Sequence, residues 1–313
     1  MRCRALIARL AAGTPLLLDG ATGTELERRG ARTRLPLWSA HALLDDPALV
    51  GRIHRDYVEA GAELVTANTF RTQARTLARG GIAHRARELT GLAVDLARAA
   101  ADTAGGGRRV WVAGSMPPLE DCYRPERVPD DGALAAEHAE HAGHLAEAGA
   151  DLLLVETMNT IREAFAAALA ARATGLPTWV SFVCESPPPS HPAARAAPPP
   201  PPRLLSGELL ADALAALAPL EPLLVGVNCL PPAAADAALA VLAAAGRPFG
   251  VYANLGAPND ETGFTRSDAC TPDEFAAHAC RWRDAGARAV GGCCGTGPDH
   301  IRAIAAATQR GSR

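Results

Sequence analysis

The 313-residue chain contains no lysine. That absence removes any mechanism built on a lysine Schiff base. Charge is carried by 31 arginines against 34 acidic residues, for a net charge of −3. No basic patch stands out, so neither nucleic acid nor an anionic membrane surface is expected as a partner. Aromatic residues make up only 4% of the chain, although hydrophobic residues reach 48%. A core must therefore be packed mainly from Ala, Val and Leu. No uncharged apolar run approaches the ~18 residues that suggest a membrane-spanning helix. The stretch Met1–Gly13 is apolar but interrupted by Arg2, Arg4 and Arg9, which does not suit a signal peptide. A cytoplasmic location is expected, where the eight cysteines read as thiols or metal ligands rather than as a disulfide framework. No Gly-x-Gly-x-x-Gly follows the first apolar run, which argues against dinucleotide binding. No His-x-His or His-Glu-x-x-His occurs, which argues against a metallohydrolase.

What is present is an alternation. Short apolar runs occur at Pro15–Leu18, Leu64–Ala67, Arg109–Ala113, Leu152–Val155, Thr178–Val183, Leu223–Val227, Phe249–Ala253 and Ala289–Gly292. Between and after them lie amphipathic, Ala-rich patterns near Pro47–Ala60, His84–Ala104, Gly132–Ala148, Ile161–Ala173, Glu208–Leu217, Ala233–Ala245, Pro272–Ala285 and Pro298–Thr308. Asp46-Pro47, Thr271-Pro272 and Gly297-Pro298 are helix-start signals, and Gly61, Gly149, Gly175, Gly246 and Gly286 are stops. Continuous apolar strands separated by helices indicate a parallel sheet buried on both faces. Eight such units predict a single-domain (β/α)₈ barrel over 1–313, with an open doubly wound sheet as the alternative. The segment 186–202 is dense in Pro and Ala, and is expected as an extended insertion after the fifth strand.

In such a barrel the carboxyl ends of the strands share one face, and chemistry collects there. Asp19, Asn68, Glu156, Asn228, Cys229, Asn254, Cys293 and Cys294 all fall at those ends. The sixth and eighth strands flank the seventh, so Cys229 can reach the vicinal Cys293-Cys294 pair. Glycines on both sides of that pair permit the turn that aims both thiols at one ion. Three thiolates suit Zn²⁺ with one position left open. Spacing alone also leaves a redox pair open. Cys3, Cys122, Cys184, Cys270 and Cys280 read as small buried apolar residues.

The segments Asp-Gly-Ala-Thr-Gly-Thr-Glu-Leu (19–26), Thr-Ala-Asn-Thr-Phe (66–70), Glu-Thr-Met (156–158), Gly-Val-Asn-Cys (226–229) and Gly-Gly-Cys-Cys-Gly-Thr (291–296) resemble the homocysteine S-methyltransferase family. The resemblance runs from about Pro15 to Thr308, with the motifs in matching order. It implies a zinc-bearing barrel with Cys229, Cys293 and Cys294 as metal ligands. It further implies that Asp19 and Glu156 hold homocysteine, including its ammonium group, and that the Gly20-Ala21 backbone faces the substrate carboxylate. Asn228 is expected beside the substrate or as the residue that orients Cys229. Asn254 matches a residue that takes the fourth zinc position when homocysteine is absent, although the family often has Pro where this chain has Ala253.

The partners so implied are homocysteine and a small methyl donor. A sulfonium such as S-methylmethionine leads, because it departs as a neutral thioether. Betaine, S-adenosylmethionine and a corrinoid partner protein are alternatives, as is a zinc-binding barrel without activity. Trp38 and Tyr123 are candidates for contacting a cationic methyl group. The stretch from Gly114 through Pro125 is a candidate wall of the donor pocket.

Overall fold

A computed structural model of the chain describes residues 2–186, 200–259, 263–268 and 270–310. Residues 187–199, most of the expected proline-dense insertion, lie outside that set. The strands are β1 (Leu16–Leu17), β2 (Leu64–Thr66), β3 (Trp111–Met116), β4 (Leu152–Met158), β5 (Thr178–Phe182), β6 (Leu224–Asn228), β7 (Phe249–Ala253), β8 (Gly256–Asn259), β9 (Gly263–Arg266) and β10 (Ala289–Gly292). Eight of them form one parallel sheet in the order β1-β10-β7-β6-β5-β4-β3-β2. A parallel bridge between Leu18 and Leu64 joins its two edges. The (β/α)₈ expectation therefore holds, and the open sheet does not.

Helix α1 (Arg2–Ala11) precedes β1. Helices α2 (Gly23–Arg28), α3 (His41–Asp45) and α4 (Pro47–Ala60) lead to β2, and α5 (Ala74–Ala78) and α6 (Ala86–Ala104) lead to β3. Then α7 (Asp131–Glu147), α8 (Ile161–Ala173), α9 (Leu210–Leu217) and α10 (Pro232–Ala244) follow successive strands. Helix α11 (Pro272–Asp284) follows the antiparallel β8–β9 hairpin, and α12 (Pro298–Arg310) follows β10. The start signals act as read. The Asp46 carboxylate accepts from the Leu49 N–H, and Thr271 with Glu274 forms a reciprocal capping box. Among the described residues no helix is long and apolar enough to cross a membrane.

Two elements depart from the expectation. Arg2, Arg4 and Arg9 interrupt the apolar pattern of α1, yet Leu6 and Leu10 line one face and are buried. They pack with lumen residues Leu16, Leu64, Leu152 and Trp179, so α1 plugs the barrel end opposite the strand carboxyl termini. The Trp111 indole donates to the Arg2 carbonyl at 3.3 Å, and Arg9 pairs with Glu63 at 2.9 Å. The β8–β9 hairpin was not expected, because its strands are short, partly exposed and carry Pro258.

The most deeply buried large ring of the lumen is that of Trp179, whose cluster also holds Trp111 and Tyr252. Trp179 is fully buried and meets Tyr252 edge to face, with centroids 5.2 Å apart. Glycine on neighbouring strands makes the room. A Cβ at Gly250 would lie 2.2 Å from the Trp179 ring, and one at Gly226 would lie 2.2 Å from the Gly250 carbonyl oxygen. Tyr252 in turn donates to Glu156 at 3.1 Å, so Trp179 supports the floor of the open end. Gly250→Ala overpacks this rigid contact. It is expected to destabilise the fold by ~1–3 kcal/mol, measured by denaturant unfolding. An unchanged midpoint would contradict this packing account.

Candidate active site

A pocket of about 480 Å³ opens at the carboxyl ends of the barrel strands. It is lined by Asp19, Gly20, Ala21, Glu156, Cys229, Cys293 and Cys294, seven residues singled out from the sequence. The three sulfur atoms lie within 4.8 Å of one another. A tetrahedral ion with sulfur ligands at ~2.3 Å holds them ~3.8 Å apart, so a small inward adjustment would complete the ligand set. The donors are chemically right for a borderline-soft ion, and the cluster can hold a metal.

Local backbone geometry puts the thiols there. Cys229 terminates β6 in a left-handed conformation, φ 56°, which turns its side chain out of the strand alternation. Its N–H donates to the Tyr252 carbonyl at 3.3 Å. Beyond β10, the Cys293 N–H donates to the Ala253 carbonyl, and the Cys294 carbonyl accepts from Leu255, both at 2.7 Å. The chain then turns at Gly295, φ 83°, where a Cβ would lie 1.9 Å from the Leu255 carbonyl oxygen. Only glycine fits that turn. Of the four non-glycine residues with positive φ among those described, Trp38, Thr157 and Cys229 line this pocket. Strain of that kind gathers where a site must re-aim side chains.

Glu156 is placed by a bulge. Val155 pairs with Val180 and Met158 with Phe182, so β4 carries one residue more than β5 between those pairs. Ser115 donates to Glu156 Oε1 at 2.5 Å, while Tyr252 donates to Oε2 at 3.1 Å. Asp19 accepts from the Thr66 N–H at 2.8 Å and from its hydroxyl at 3.2 Å. Burial pushes both carboxyls up to about 8, against these hydrogen bonds, and the charge at Cys293 adds to the push. Hydrogen bonds from Cys229 and Cys294 hold the Cys293 thiol well below its ordinary value, with Asn228 assisting.

Asn228 and Asn254 do not line the pocket. Asn228 is fully buried. Its oxygen accepts from the Thr157 N–H at 2.9 Å, and its amide donates to the Thr157 hydroxyl at 2.8 Å and to Glu156 at 3.5 Å. It therefore ties the end of β6 to the β4 bulge. The Asn254 side-chain oxygen is buried without a hydrogen-bond partner among the described residues.

The Gly114–Pro125 stretch, expected as a wall of the donor pocket, contributes Ser115, Asp121, Cys122, Tyr123 and Arg124 to the lining. Cys122, expected as a buried apolar residue, is buried but lines the pocket with the other three thiols. The next residue, Tyr123, places its hydroxyl 3.0 Å from Cys229 Sγ. Their loop is pinned by Glu163 to the Leu119 N–H at 2.7 Å, by Gln73 to the Pro118 carbonyl at 3.0 Å and by Asn159 to the Cys122 carbonyl at 3.0 Å. These anchors come from two stretches distant in sequence, the start of α5 and the β4–α8 junction, so no local pattern announces them. Trp38 lines the pocket as expected and meets Phe70 edge on, with centroids 6.1 Å apart.

The raised carboxyls have a consequence for the metal-free protein. Their ordinary values are 3.8 and 4.5, below the folded values of about 8. The folded state therefore holds more protons than the unfolded state in between, and stability falls as pH rises from about 4 to about 8. Glu156→Gln removes one of the two groups. Calorimetric melting of the metal-free variant is expected to show a shallower decline across that window than the metal-free wild type. Parallel declines would contradict the assignment of a raised value to Glu156.

The family model described as homocysteine S-methyltransferase matches residues 16–308. The homocysteine S-methyltransferase of Escherichia coli is 35% identical over 311 residues, covering 93% of this chain and 94% of that protein. Homocysteine S-methyltransferase 1 of Arabidopsis thaliana is 30% identical, covering 92% and 91%. The crystal structure of the metallated E. coli homocysteine methyltransferase MmuM superposes with a TM-score of 0.78 at 32% identity, covering 98% of this chain and 99% of that one. The chain belongs to the homocysteine S-methyltransferase family.

Proposed function

We propose that this protein makes methionine by moving a methyl group from S-methylmethionine to homocysteine, with Zn²⁺ held by Cys229, Cys293 and Cys294. The observation that carries the reading is the convergence of those three thiols within 4.8 Å in a pocket that also holds Asp19 and Glu156. Zinc bound there would keep a coordinating homocysteine sulfur deprotonated at neutral pH, where a free thiol is mostly protonated.

The side chains of the pocket divide the remaining work. Asp19 and Glu156 bind the ammonium group of homocysteine. Each is protonated near neutral pH in the empty pocket, and an arriving cation favours its charged form. Asn228, Ser115 and Tyr252 hold Glu156 in place through the hydrogen bonds given above. The Gly20-Ala21 backbone faces the substrate carboxylate. Asn254, whose side-chain oxygen is unpartnered, would be the residue to supply a further metal ligand when substrate is absent. Trp38 and Phe70 face the cationic methyl group of the donor. Holding donor and thiolate in line supplies much of the rate. No general base is required at the transfer step, because the leaving group is a neutral thioether.

Metal analysis with a methyl-transfer assay tests the proposal. The purified protein is expected to carry zinc and to form methionine from homocysteine and S-methylmethionine. Cys229→Ala and Cys294→Ala are expected to lose both metal and activity. A reduced wild type that binds no zinc, or a zinc-loaded one inactive with S-methylmethionine, would refute it.

A further inference from the structure

Arg71 lines the active-site pocket and is only partly exposed. Its guanidinium carbon sits 5.3 Å from the centroid of the Phe70 ring. Its Nε is buried and has no hydrogen-bond partner among the described residues. The other arginines of the pocket differ. Arg79 is ion-paired with Glu120, Arg124 lies 4.0 Å from Glu126, and Arg127 is solvent-exposed. The acidic groups of the pocket are engaged elsewhere. Asp19 accepts from Thr66, Glu156 accepts from Ser115 and Tyr252, and Asp121 accepts from the Tyr123 N–H at 2.9 Å. The Arg71 charge reaches the interior nonetheless, since it partly offsets the burial that pushes the Cys122 thiol up to about 12.

A buried N–H without an acceptor is unfavourable unless a ligand supplies one. The guanidinium fork has the geometry of a carboxylate receptor. It stands against Phe70, which itself meets Trp38, so a carboxylate site and an aromatic face adjoin. We infer that Arg71 selects a methyl donor bearing a carboxylate: its guanidinium takes that carboxylate while the donor's sulfonium lies against Trp38 and Phe70. The inference rests on the reaction proposed above and names the residue that discriminates among its donors. Discrimination also comes from repulsion. A sulfonium without a carboxylate brings bare positive charge to a guanidinium, whereas an amino-acid sulfonium places its own anion between them.

The test uses the zinc-loaded enzyme with two donors, S-methylmethionine and trimethylsulfonium, which lacks the carboxylate. Arg71→Ala is expected to raise KM for S-methylmethionine ~10–100-fold, the loss of a charged hydrogen-bonded contact. KM for homocysteine and kcat/KM for trimethylsulfonium are expected not to fall. Arg71→Lys should recover part of the S-methylmethionine affinity. Arg71→Met keeps the apolar stem on Phe70 and should behave as Arg71→Ala, which carries the test if the alanine variant is unstable to heat. Equal losses with both sulfoniums, a rise in KM for homocysteine instead, or no change would overturn the inference. A wild type that methylates homocysteine from neither sulfonium refutes the proposed reaction itself, whereas an active wild type unaffected by these substitutions refutes only the role of Arg71.

Discussion

The clustered thiols of Cys229, Cys293 and Cys294 share one small pocket with the carboxyl groups of Asp19 and Glu156, and burial opposes a negative charge on every one of them. That electrostatic conflict is the constraint on which the rest of the site depends. It explains why Asp19 and Glu156 are both pushed up to about 8, and why a single thiol, Cys293, takes the charge that its neighbours yield. A divalent cation among the sulfurs and an ammonium group beside the carboxyls would relieve it together. The pocket is thus built to be stable with its ligands and uneasy without them.

The barrel supplies the rigidity that holds such groups close. Pairing of β10 between β1 and β7 brings Cys293 and Cys294 to Cys229, more than sixty residues away in sequence. Below the pocket the packing is continuous. Leu6 and Leu10 of α1 close one end, Trp179 packs within the lumen, and Tyr252 joins that packing to Glu156. Above it, backbone departures re-aim the functional side chains: the β4 bulge at Glu156, and left-handed residues at Thr157 and Cys229. Asn228 locks two of these departures to each other through Thr157.

Much of this was legible in the sequence, for identifiable reasons. Strands buried on both faces leave continuous apolar runs, so all eight barrel strands were found, with ends a few residues off. The deviations at β3 and β4 share one cause. Ser115 and Glu156 look like strand ends because they are polar, yet both lie in strands that continue to Met116 and Met158. Residues whose role depends on elements distant in sequence were not legible. Arginines masked the face of α1 that exists only because the barrel needs a plug. Cys122 looked like filler until the loop after β3 folded over the thiols. Arg71 had no pattern at all, since what distinguishes it is the partner it lacks.

The central claim is that homocysteine sulfur completes a metal site begun by three cysteines. X-ray absorption at the zinc edge reads this without relying on turnover. The account predicts three sulfur ligands and one lighter atom in the zinc-loaded enzyme, becoming four sulfur ligands when homocysteine is added. A coordination sphere that homocysteine leaves unchanged, or one with fewer than three sulfur ligands at the outset, would contradict it.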